Sequence, residues 1–165
     1  MGKGGLAYID GRAVCQLLEF RNMNQRPDLP KEIGPHDGRE LDLMLAGVKP
    51  LAMFTDVVPS NYEWPDITFE PHVLSGTLVK REFLTDTKDG QHKIRHLYFA
   101  LPGEAWRIEK AHTLSLMTFD TWCEKAEESC AQLGRLLGYE EDEIEAFIRW
   151  ARERRGSTDD NPILA

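Results

Sequence analysis

Two turn signals, Asp89-Gly90 and Pro102-Gly103, punctuate a run from Leu78 to Lys110 that is otherwise rich in aliphatic and aromatic residues, and they limit how that run can pair with itself. With Asp89 and Gly90 at the tip of a hairpin, Lys88 faces Gln91. Counting outward pairs Thr85 with Ile94, Phe83 with His96, Arg81 with Tyr98 and Val79 with Ala100. A second hairpin at Pro102-Gly103 pairs Ala100 with Ala105, Phe99 with Trp106, Tyr98 with Arg107, Leu97 with Ile108 and His96 with Glu109. Pro-Gly favours a type II turn, whereas two-residue hairpins prefer the primed turns, so a one-residue slip here would turn the outer strand over.

Strand side chains alternate faces with period two. This meander therefore predicts a core face of Leu78, Leu84, Leu97, Phe99, Trp106 and Ile108. The opposite face gathers Arg81, His96, Tyr98, Arg107 and Glu109, with Val79 and Phe83 among them. A carboxylate beside an imidazole raises its pKa and prepares it for general acid or base work. Two arginines nearby could grip a carboxylate or phosphate. The same residues equally fit a wet sheet face with cross-strand ion pairs, since antiparallel sheets commonly leave one face in water.

Around the meander, Asp10 can cap a helix from Gly11 to Asn22, and residues 26–38 have the Pro, Gly and Asp content of a loop. Arg39 to Ala46 fits a short helix stopped by Gly47 and Pro50, with Asp37 as its cap, and Leu51 to Thr55 fits a buried strand. Residues 57–76, with three prolines, form a long connection carrying Tyr62, Trp64 and Phe69. His112 to Met117 suits a fourth strand. Thr121 and Glu124 form a capping box for a helix ending at Gly138, with Cys123, Ala126, Cys130, Leu133 and Leu137 as its apolar stripe. A second helix runs from Glu140 to Arg155, acidic in its first turn and basic in its last, with Ile144, Phe147, Ile148 and Ala151 as its stripe. The expected fold class is α+β: a small antiparallel meander sheet packed on one face by a C-terminal αα-hairpin and an N-terminal helix. Residues 1–156 form one domain and 157–165 a flexible tail.

Several chemistries can be set aside. His92 and His96 are four apart, but on a strand that is about 13 Å, too far for one ion. The odd set Cys15, Cys123 and Cys130 has no zinc spacing and suggests reduced thiols in the cytoplasm. His36, Asp37, Arg39 and Glu40 concentrate charge before a helix, a pattern that capping and exposure explain. Gly2-x-Gly4-Gly5 lacks the strand and helix of a phosphate loop. No metal and no cofactor are expected. No apolar run approaches the roughly 18 residues of a membrane span.

Net charge is −8, and the stretch from Thr118 onward carries 12 acidic and 6 basic residues. Such a surface repels phosphate backbones, and Glu140-Glu141-Asp142-Glu143 would oppose DNA if the helical hairpin were a helix-turn-helix. Nucleic acid is thus not an expected partner; a basic protein is.

Two function classes follow. One is a small soluble cytoplasmic binding or regulatory protein of immunity, antitoxin or accessory type. It would act through an acidic helical surface (Glu140, Glu141, Glu143) and an aromatic loop (Tyr62, Trp64). The other is a small metal-independent enzyme or anion-binding protein using His96, Glu109, Arg81, Arg107 and Tyr98.

Overall fold

The computed structural model describes residues 34–87, 89–118 and 124–156. Among the described residues the sheet has three antiparallel strands in the spatial order β1 (Leu51–Val58), β3 (Lys93–Ala100), β2 (Val79–Asp86). The β2–β3 register is the one the Asp89-Gly90 turn predicts, with Val79 opposite Ala100, Arg81 opposite Tyr98 and Phe83 opposite His96. Asp89 organises that turn: its carboxylate accepts from the Thr87 hydroxyl at 2.5 Å and the Gln91 amide at 3.0 Å. Gly90 supplies the positive φ of 66° that follows. On the other side of β3, Leu51 pairs with Ala100 and Val58 with Lys93, so the strand expected over 51–55 runs three residues further.

Five helices surround this sheet among the described residues: α1 (Glu40–Leu45), α2 (Asp66–Leu74), α3 (Arg107–Thr118), α4 (Glu124–Leu137) and α5 (Glu141–Gly156). The C-terminal helices pack on the sheet, as an α+β class requires. The second hairpin is not formed. Pro102–Glu104 make a 3-10 turn instead, and the expected strands at 105–110 and 112–117 fall at the start of and within α3. Proline is well placed to open a helical turn because its missing N–H would be unpaired there anyway. Beyond it, Ile108, Ala111 and Ser115 recur at helical spacing and all are buried. The same residues admit a strand reading, and the helical period wins.

α2 likewise falls within the expected connection at 57–76. Pro71 lies inside it, but Phe69 faces the core and its ring stacks 4.2 Å from Phe99. Arg39, not Asp37, stands at the N-cap of α1, and no side chain caps that end of the helix. The helix closes as a Schellman motif: the Val48 amide bonds the Leu43 carbonyl and the Gly47 amide the Met44 carbonyl.

Both faces of the sheet are covered. On one, Ala52, Leu97 and Phe99 meet Met44, Phe69 and Leu78 from α1, α2 and the approach to β2. On the other, Leu51, Tyr98 and Ala100 meet Ile108, Ala111 and Leu133 from α3 and α4. The predicted core face is therefore corrected in part. Leu97, Phe99 and Leu78 belong together, Ile108 lies across the sheet, and Leu84 and Trp106 are 58% and 51% exposed. The C-terminal helices cover the face expected to be wet.

α4 and α5 run antiparallel, tied by Arg135–Glu141 at one end and Arg152–Glu127 at the other. Cys130 is buried on α4, in keeping with packing. The expected helix at 11–22 with Asp10, together with Cys15, Cys123, Thr121, the 26–33 loop segment and the tail, lies outside the described residues. Among the described residues, no helix is long and apolar enough to cross a membrane.

Candidate functional site

His96 and Tyr98 do share a face of β3, but α3 closes over them and both are fully buried. His96 Nε2 lies 2.9 Å from the Thr85 hydroxyl, and its ring meets that of His112 edge-on at 5.0 Å. The Tyr98 hydroxyl lies 3.2 Å from His112 Nδ1 and 3.4 Å from the Ser115 hydroxyl. The His112 ring in turn stacks on Phe83 at 4.0 Å. Burial presses His96 down to about 4, with His112 adding to the effect. Burial likewise pushes Tyr98 up to about 12, the Ser115 bond opposing and Glu109 assisting. These shifts favour the neutral forms at neutral pH, as a hydrogen-bonded polar layer between sheet and helix requires. His112, supplied by α3, is the member that the strand reading could not place here.

The other three residues of the predicted cluster stay outside this buried layer, Arg81 although it stands opposite Tyr98 in the register. Arg81 is exposed and donates to the Lys80 carbonyl at 3.1 Å. Glu109 is exposed on α3. Arg107 forms an ion pair with Glu104 at 2.5 Å and donates to the carbonyls of Arg135 and Leu136 at 3.3 and 3.4 Å. The geometry that would have joined His96 to Glu109 depended on the second hairpin, and it goes with that hairpin.

A different concentration of ionisable groups forms where residues 34–40, the 47–50 turn and the α4–α5 junction meet. Lys49 is 2% exposed, and its Nζ lies 3.0 Å from His36 Nδ1 and 3.1 Å from the Leu137 carbonyl. Its ammonium also stands 4.5 Å from the centre of the Tyr139 ring, on which His36 stacks at 4.3 Å. Burial lowers Lys49 to about 8, with Glu40, Asp37 and Glu143 holding it up. Asp37 is pushed up to about 7 by burial and then by Glu40, while Lys49 opposes. His36 is pressed down to about 4 by burial, then by Lys49 and Arg39. Burial raises Tyr139 as well, the nearby carboxylates adding to it.

Lys49 and Arg107 between them take the last three carbonyls of α4, from residues 135 to 137, where the helix dipole favours cations. Sequence reasoning noted His36 and Asp37 but passed over Lys49. Its signal is a lone cation two residues before the buried Leu51, on the face that a continued strand would turn inward.

The residues predicted to meet a partner are partly committed to the protein itself. Glu141 holds Arg135 through two bonds of 2.6 and 2.9 Å. Glu143 accepts the Glu140 amide at 2.8 Å, one half of a capping box. The Glu140 side chain is exposed, as are Asp142 and Glu145. Tyr62 and Trp64 pack edge to face at 5.0 Å, and Trp64 carries Arg95 on its ring at 4.3 Å while packing on the core.

Among the described residues, no group of three or more His, Cys, Asp or Glu side chains converges as metal ligands would. Comparison with known protein families, with curated proteins and with solved structures finds no match to this chain.

Proposed function

We propose that this chain is a small cytoplasmic binding or regulatory protein of immunity, antitoxin or accessory type. Its acidic helical surface, at the start of α5, would receive a basic protein partner. The observation that carries this reading is the set of exposed carboxylates on Glu140, Asp142 and Glu145, beside the Arg135-bound Glu141, held on a short, doubly capped helix junction. A fixed array of like charge steers an oppositely charged partner and sets its register. The aromatic loop enters as a support: Trp64 faces its own core, and Tyr62 packs against Trp64.

The test is a titration of the labelled chain with a lysine- and arginine-rich helical peptide, followed by backbone NMR shifts. Shift changes should cluster at 138–146, weaken with added salt and fall about tenfold in affinity in the double variant Glu140→Lys/Glu145→Lys. Both positions lie outside the Arg135 and capping contacts through their side chains, so the variant should remain folded. Changes spread evenly over the surface, or an affinity the reversal leaves untouched, would dismiss the proposal.

A further inference from the structure

We infer that His36, Lys49 and Tyr139 form a proton-sensitive latch that holds the 34–39 loop against the α4–α5 turn, and that protonation of His36 releases it. The geometry fixes the chemistry of the closed state. Nζ of Lys49 lies 3.0 Å from His36 Nδ1, and an ammonium has only protons to offer, so the ring nitrogen must be the acceptor. An imidazolium has no acceptor left. Protonating His36 thus removes the bond and sets two cations face to face in a buried site, His36 being 9% and Lys49 2% exposed.

Three segments far apart in sequence meet at that contact. His36 belongs to the loop before α1, Lys49 to the turn before β1, and Tyr139 to the junction of α4 and α5. Lys49 bonds the Leu137 carbonyl at 3.1 Å, and the ring of His36 lies within 12° of parallel to that of Tyr139. Releasing Lys49 from His36 therefore loosens the loop from the helix end in the same step.

The groups facing the pair set the direction of the response. Arg39, on the His36 loop, acts on His36 in the same sense as Lys49, while Glu40 on α1, Asp37 on the loop and Glu143 on α5 favour the charged lysine. A histidine held near 4 when closed and at its ordinary 6.5 when open binds more protons in the open form across that interval. The histidine's own contribution thus favours opening as pH falls through 6.5 and levels off below 4. Asp37, held near 7, works the other way over the same range, and Glu40 is displaced in the same sense as Asp37. A comparison at equal pH with His36→Asn isolates the histidine, because Asn offers an acceptor oxygen in place of Nδ1 that no accessible pH removes.

Amide exchange at Gly138 and Tyr139, whose N–H groups bond the carbonyls of Arg135 and Gly134, reads the latch directly. From pH 7 to pH 5 the exchange of the parent relative to His36→Asn should rise about twentyfold. A ratio constant within about twofold overturns the latch. Should His36→Asn fail to fold, nitrogen-15 NMR of the parent decides alone. Nδ1 without a proton at pH 7 and a ring titrating below about 5 support it. A protonated Nδ1, or a midpoint at about 5 or above, overturns it.

Discussion

At Gly138 a single hydrogen decides whether two parts of the chain can touch. Its φ is +82°, and a Cβ built there would stand 2.4 Å from Cδ of Pro50. Glycine is required twice over, for the left-handed backbone that ends α4 and for the approach of the turn before β1. Gly138→Ala should lower stability by roughly 2 kcal/mol in urea unfolding, from strain and displacement together. Gly103→Ala, with nothing within 4 Å of the added carbon, should change it by less than about 0.5 kcal/mol. The glycine was readable as a helix stop. Its contact with Pro50 was not, because no periodicity reports which loops meet. Lys49 escaped notice for the same reason: its burial depends on the Leu137 carbonyl, 88 residues further along.

At the scale of elements, legibility followed the distance over which each signal acts. The Asp89-Gly90 turn links strands adjacent in sequence, and its register was correct residue for residue. Pro102-Gly103 offers a similar local signal with two outcomes, a hairpin or the opening of a helix, and burial of Ile108, Ala111 and Ser115 selects the second. Arg107 and Glu109 of the catalytic constellation rested on the losing outcome, which is why they do not meet His96, whereas Arg81 stands opposite Tyr98 as read but with its side chain exposed. α2 was hidden by Pro71, and what seats it is an ion-pair network. Asp66 in its first turn takes two bonds from Arg95, at 2.8 and 2.9 Å, and one from Lys80 at 2.6 Å.

The Arg95 bonds, ahead of the Lys80 bond, hold the Asp66 carboxylate down at about 2. With its folded value below the unfolded 3.8, the group stabilises the protein above pH 3.8, and that contribution fades as pH falls toward 2. It corresponds to about 2 kcal/mol at most, since solvent reaches part of the pair. Asp66→Asn should therefore lose about that amount at pH 7, with the difference from the parent shrinking as pH falls and vanishing only below about 2 in parallel denaturation curves.

For the molecule as a whole, the layering matters more than any one contact. β3 is flanked by strands on both edges and by helices on both faces, and its residues from His96 to Ala100 are all buried. Native-state hydrogen exchange should find the slowest amides there, exchanging only through global unfolding, while those of β2 that point to its outer edge exchange by local opening. Slow exchange along β2 equal to that of β3 would contradict this arrangement. The α+β class was legible because hairpin and amphipathic helices are local patterns. The full covering of both faces was not, because one face depends on α2, which Pro71 made resemble a loop, and the other on α3, whose start after Pro102-Gly103 resembled a strand.

The strand order also says something about how the chain comes together on the ribosome. Among the described residues β1 is the first strand to emerge, yet its neighbour in the sheet is β3, which is synthesised after the whole of α2 and β2. The early strand, largely apolar, must wait for this partner until the later hairpin offers it an edge. Whatever shields Leu51 to Phe54 during that interval governs how much of the newborn protein reaches its native state.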